Sequence, residues 1–225
     1  MKSQAAPPLV EAHGISKVYA NAEGIPAVRS TTFSIGSAQA IALVGPSGSG
    51  KSTLLQLIAG LDEPSFGSIE WPGLGSKMNL LPAKIGFMPQ SPSLVPSLNV
   101  IENVMLPLAL LGDRQASPAL AIELLAAFEV DGLGPKLPEE LSGGQAQRIA
   151  LARALITGPR LIIADEPTGQ LDHVTAVMVL AQLGSWGTRT GGSMLVATHD
   201  PEVANSMGVV WHMEEGVLDT GELAP

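Results

Sequence analysis

Apolar residues along this chain recur with two periods. LVEAHGISKVYA and AVRSTTFSI repeat at about two, as strands with one buried face do, and the turn-rich NAEGIP separates them. AIALV, from Ala40 to Val44, is continuously apolar, the mark of a strand buried on both faces. KIGFM, RLIIA and SMLVAT read the same way, with VVWHM and GVLDT closing the sheet. Helical spacing predicts helices over KSTLLQLIAG, SPALAIELLAAFEV, GGQAQRIALARALI and HVTAVMVLAQLGSW. From Gln90 to Pro138 there is no strand pattern and prolines recur, so this section reads as a mostly helical insertion in an α/β domain. No repeat, low-complexity tract or linker divides the chain.

Composition narrows the classes. The 225 residues supply ample material for a core, and a net charge of −9 argues against a nucleic-acid binder, which needs clustered Lys and Arg. The absence of cysteine excludes disulfides and thiolate metal sites. Only 15% of residues are charged, which for a soluble protein implies an apolar surface reserved for a partner. The longest apolar run, VIENVMLPLALLG, is broken by Glu102, Asn103 and Pro107, so no stretch approaches the roughly 18 residues of a membrane span. MKSQAAPPLVEAHG lacks the apolar core of a secretory leader.

The chemistry begins at GPSGSGKST, Gly45 to Thr53, which fits G-x-x-x-x-G-K-[ST] between an apolar strand and a helical pattern. Gly45, Pro46, Ser47, Gly48, Ser49 and Gly50 form a loop whose backbone N–H groups can wrap phosphates at a positive helix end. Lys51 is placed to reach the β- and γ-phosphates, Ser52 to offer its hydroxyl to Mg²⁺, and Thr53 to support the α-phosphate. Such a site needs an acidic partner at the end of another buried strand. RLIIADEP supplies Asp165, suited to a water-mediated Mg²⁺ contact, and Glu166, placed to polarise the water that attacks the γ-phosphate. A third feature is EELSGGQAQR, where Ser142, Gly143, Gly144 and Gln145 open a helix with two side-chain-free residues. Ser142 can serve as an N-cap, and the open amides as a second anion site.

Together these features resemble the ATP-binding-cassette (ABC) ATPase family over nearly the whole chain, with LSGGQ the most specific match. The resemblance implies an α/β fold: a P-loop NTPase core with a mostly parallel sheet, an N-terminal antiparallel β subdomain and an inserted α-helical subdomain at about 91–140, all within one domain spanning 1–225. It implies ATP and Mg²⁺ as ligands. It also implies a second ABC ATPase subunit, in a homodimer whose Ser142–Gln145 segments cap the γ-phosphate on the opposite P-loop. Tyr19 matches the aromatic that stacks on adenine, and Gln90 the glutamine that touches Mg²⁺ and the attacking water. His199 matches the histidine at the γ-phosphate, and Asp172 the aspartate of the loop crossing the dimer interface. Asp172 reads equally well as the N-cap of the following helix, and both roles are compatible. Arg148 and Arg153 read as surface or supporting residues, and no arginine stands out as an in-chain finger.

Among ABC ATPases, PSLVPSLNVIENVMLPLALLG and PTGQLD are similar to the lipoprotein-releasing and macrolide-export (LolD/MacB-like) group. This implies integral membrane permease subunits as partners, no nucleic acid, and a peripheral location on the cytoplasmic face of the cell membrane. The stretch from Gly60 to Lys84 is short and rich in Gly and Pro, so contacts made there in the family are expected to be reduced, and no regulatory domain is expected after GVLDTGELAP. Two functions share this site: ATP-driven transport through a permease, and mechanotransmission, in which dimer closure acts through a membrane protein on envelope or cell-wall enzymes. A non-hydrolysing cassette is disfavoured by the intact Lys51, Asp165, Glu166 and His199.

Overall fold

A computed structural model describes residues 6–20, 24–113 and 117–221. The first three residues of the NAEGIP turn, 21–23, lie outside this set. Two sheets organise the chain. Strands β1 (Val10–Val18), β2 (Pro26–Ile35) and β4 (Phe66–Glu70) form an antiparallel sheet in the order β2-β1-β4. The second sheet contains β3 (Ala40–Val44), β5 (Ile85–Met88), β6 (Leu161–Asp165), β7 (Ser193–Thr198), β8 (Val209–Glu214) and β9 (Val217–Asp219), in the order β5-β6-β7-β3-β8-β9. It is parallel from β5 to β8, and β9 returns on β8 as an antiparallel hairpin.

The continuous apolar runs are explained by the layers on either side. Leu161 and Ile163 of β6 face one core with Leu195 and Ala197 of β7, whereas Ile162, Ala164, Met194 and Val196 face the other. The first core holds helix α1 (Lys51–Ile58) and the antiparallel sheet, through residues such as Leu54, Leu55, Ile15 and Ile35. The second holds α2 (Val100–Leu110), α3 (Pro118–Ala127), α4 (Gly143–Leu155) and α5 (His173–Thr190), and receives Val203 of the short α6 (Pro201–Asn205). Truncating a fully buried Ile such as Ile163 costs about 2–5 kcal/mol.

Three details depart from the sequence reading. Strand β1 stops at Val18, so Tyr19 lies just beyond it. Helix α1 ends at Ile58, where the following turn closes through left-handed Gly60. The Gly60–Lys84 stretch carries β4 and a buried Trp71, whose indole donates to the Ile58 carbonyl at 2.9 Å. β4 escapes the periodicity test because FGSIE pairs only with β1 and buries no residue fully. Within the insertion, α2 starts from a capping box of Asn99 and Glu102.

Candidate functional site

Strand β3 delivers the chain to the glycine-rich loop, and α1 leaves it. Gly50 is the N-cap of α1 at φ 106°, where a side chain is strained, and a Cβ there would overlap the Ala27 carbonyl of β2. No side chain caps α1, so its first-turn amides stay available to an anion. Lys51 is 7% exposed, and its Nζ donates to the Gly45 and Pro46 carbonyls at 2.7 and 3.0 Å. Ser52 Oγ donates to Asp165 Oδ2 at 2.6 Å, joining α1 to the end of β6. Burial raises the pKa of Asp165; the Ser52 bond opposes this, and the neighbouring Glu166 adds to it.

Glu166 sits just past β6 at φ 52°, an uncommon conformation for a residue with a side chain. Its N–H donates to the Ala197 carbonyl of β7 at 2.9 Å, and its Oε1 lies 3.2 Å from His199 Nδ1. A cavity of about 230 Å³ gathers Ser47, Gly48, Gly50, Lys51, Ser52, Thr53, Gln90, Asp165 and Glu166. His199 reaches this group through Glu166, and its side chain is largely exposed. The loop after Gln90 is pinned from α4, whose Arg153 donates to the Pro92 and Ser93 carbonyls at 2.7 and 3.0 Å. Buried Asn103 of α2 completes the clamp with bonds to Val95 and Leu98.

Several expected residues do not line the cavity: Gly45 and Pro46 meet Lys51 through their carbonyls, and Ser49 and Tyr19 stand apart. Ser49 is buried with its hydroxyl unpartnered, so its side chain faces protein, and its N–H donates to the Pro46 carbonyl at 3.3 Å. Tyr19 lies beyond Thr53: its hydroxyl donates to Asp62 Oδ2 at 3.2 Å and is 3.5 Å from Thr53 Oγ1. The Lys17 ammonium sits 5.1 Å from the Tyr19 ring centroid and donates to Asp62 at 2.6 Å, holding that carboxyl below its ordinary range.

The glycines of EELSGGQAQR belong to a separate concavity. Ser142 caps α4 by accepting from the Gln145 amide at 3.2 Å, and the Gln145 side chain returns to the Ser142 N–H at 2.9 Å. The amides of Gly143 and Gly144 have no acceptor within the helix. These four residues line a concavity of about 400 Å³ with Arg148, Gln170, Leu171, Asp172 and Thr175. Asp172 caps α5: the Thr175 amide and hydroxyl hold its carboxyl below the usual range. No lining residue is common to this concavity and the first cavity.

Pattern-reading missed Gln147 and Gln170, which tie the helix behind this second concavity to the end of β6. Gln147 Nε2 donates to the Glu166 carbonyl and Gln147 Oε1 accepts from the Gln170 amide, both at 3.1 Å. In the sequence Gln147 is one of several polar residues at the start of α4, with nothing to mark it as the one that is buried. Asp62 and Lys17 were also missed, because only the fold brings them to Tyr19.

A strand, glycine loop and helix, facing two carboxylates at the end of a parallel strand one place removed in the same sheet, define the P-loop NTPase class. Residues 28–169 match the family model described as "ABC transporter", and the chain belongs to that family. Solved structures agree. The dimeric structure of MJ0796, a bacterial ABC transporter cassette, is 32% identical with a TM-score of 0.86, over 96% of this chain and 100% of that one. The same protein in a dimeric post-hydrolysis state bound to ADP and Pi matches to the same degree. CbiO1 from Clostridium perfringens, part of the ABC transporter complex cbiONQ, is 26% identical with a TM-score of 0.77, over 94% of this chain and 87% of that one. As an ABC cassette the chain is an ATPase.

Proposed function

We propose that this cassette is the ATP-hydrolysing subunit of a membrane transporter. It closes as a homodimer around two ATP molecules and drives permease subunits at the cytoplasmic face of the cell membrane. The observation that carries the reading is the division of the chemistry between two concavities without a common residue. One chain holds the phosphate loop, and a second chain brings Ser142–Gln145 and Asp172 to it. In its support, MJ0796 is dimeric in both of its matching structures.

Lys51 and the loop amides bind the phosphates, Glu166 orients the attacking water and accepts its proton, and His199 holds the Glu166 carboxylate in place. Tyr19 offers a ring to the adenine. The donors fit Mg²⁺, since Ser52 and Asp165 present hard oxygens side by side and Gln90 lines the same cavity. Among the described residues no group of three His, Cys, Asp or Glu could hold a metal alone, so Ser52, Asp165 and Gln90 would hold Mg²⁺ together with nucleotide phosphates and water. When bound, Mg²⁺ neutralises charge that develops on the leaving phosphate.

Docking to the permease falls to the helices between β5 and α4, where Leu110, Leu111, Leu120 and Ile122 are exposed. Resemblance to the lipoprotein-releasing and macrolide-export group favours an exporter or an envelope lipid, lipoprotein or drug system. Glu166→Gln tests the core of the reading: with ATP it should accumulate as a dimer by light scattering and turn over at under about 1% of wild type. A monomer under those conditions overturns the shared site. Isolation of the complex separates transport from mechanotransmission, because a complete permease pathway supports the first and a few helices bearing a large extracytoplasmic domain support the second.

A further inference from the structure

Gln147 is 1% exposed in the second turn of α4, yet both ends of its amide bond main chain outside the helix. Nε2 donates to the carbonyl of Glu166, and Oε1 accepts from the amide of Gln170. The Glu166 carbonyl also accepts from the Gly169 amide at 3.2 Å, while the Glu166 amide is held by Ala197. These bonds surround a residue kept in the left-handed region, a conformation that persists only where its surroundings impose it. The backbone held this way aims the carboxylate at His199 Nδ1.

The same helix is keyed to Gln170 at its start. A Cβ on Gly143 would overlap Gln170 Oε1, and one on Gly144 would meet Leu171 Cδ2 at 3.0 Å. Helix α4 therefore cannot slide without moving Gln170, and neither can move without disturbing the amide that grips Glu166. A densely packed interior passes such a shift on, because the groups have nowhere else to go.

We propose that Gln147 is a positioning residue for hydrolysis: its amide sets the backbone of Glu166 according to the position of helix α4. The inference rests on the proposed role of Glu166. On the dimer reading it has a further consequence: α4 begins at the segment that meets the neighbour's nucleotide, so Gln147 reports that encounter to the chain's own water-orienting carboxylate.

The test pairs Gln147→Met, which keeps the volume and removes both bonds, with Gln147→Glu, which keeps the acceptor for Gln170 and loses the donor to Glu166. Both variants should lower kcat about tenfold or more while the KM for ATP stays within about twofold. In a Glu166→Gln background, single-turnover measurement should show that Gln147→Met costs less than about twofold further, since the group it positions is already gone. A merely structural role predicts a raised KM and an equal loss in both backgrounds. Either that result or wild-type kcat in Gln147→Glu overturns the inference. If Gln147→Met does not fold, Gln147→Glu carries the same comparison. A Glu166→Gln enzyme that retained full turnover would overturn the proposed function instead.

Discussion

Ser52 Oγ and Asp165 Oδ2 are joined by a 2.6 Å hydrogen bond that spans 113 positions of sequence. It ties the first turn of α1 to the tip of β6, and its acceptor is a carboxylate that burial places above its ordinary pKa. The folded protein therefore holds a proton on Asp165 more readily than the unfolded chain does. Stability from this group is present at acid pH and is lost as pH rises from the ordinary carboxylate range through the raised value. Asp165→Asn should raise the unfolding temperature of the nucleotide-free protein at neutral pH by roughly 2–5 °C. It should also remove the further rise given by ATP with Mg²⁺. Thermal denaturation with and without Mg-ATP checks both, and a destabilised variant would show the charge to be favourable.

His199 meets Glu166 with a side chain that is 67% exposed, against 21% for the glutamate. A pair this open adds about 0–1 kcal/mol to stability. His199→Ala should leave the unfolding temperature within about 2 °C and lower turnover roughly 10- to 100-fold. Unchanged turnover would reduce the pair to surface decoration.

Tyr19 offers two things, a ring and a hydroxyl bound to Asp62. If the ring carries the affinity, Tyr19→Phe should hold the KM for ATP within about threefold, and Tyr19→Ala should raise it about tenfold with little change in kcat, as loss of about 1–3 kcal/mol of stacking implies. The reverse ranking would give the affinity to the hydroxyl.

Gly143 is confined by the Gln170 side chain as well as by any phosphate that approaches α4. Gly143→Ala should lower the unfolding temperature by a few degrees and abolish most turnover. Adding Gln170→Ala removes the obstructing amide and should restore the temperature. Turnover that returns together with stability would mean packing was the whole role of the glycine; turnover that stays low isolates its part in the reaction.

Much of this arrangement could be read from the chain, for identifiable reasons. GPSGSGKST and RLIIADEP are local: strand, loop and chemistry lie within about ten residues, so the motif and its context are seen together. Ser142 and Asp172 were legible as caps because an N-cap bonds an amide three positions away, Gln145 and Thr175. What escaped depends on distance in sequence. Gln147 looks like any helix residue until the fold brings Glu166 and Gln170 to it, 19 and 23 positions on. The Lys17–Asp62 pair that frames Tyr19 spans 45 positions and has no periodic signature. β4 escaped for a different reason: an edge strand with no fully buried residue has no apolar alternation to reveal it. The run LVEAHGISKVYA extends two residues past β1 because apolar alternation continues beyond the last pairing with β2, at Val18 and Pro26, and Tyr19 follows the strand.

If a second chain completes the site as proposed, the two concavities that share no lining residue also set how fuel consumption scales in a cell. On the proposed dimer, a solitary subunit is a nucleotide reservoir that idles, and the reaction becomes second order in free subunit. Halving the subunit concentration cuts unassembled hydrolysis to a quarter. Only tethering by a membrane partner, which raises the local concentration of one cassette around the other, makes the rate proportional to the number of assembled machines.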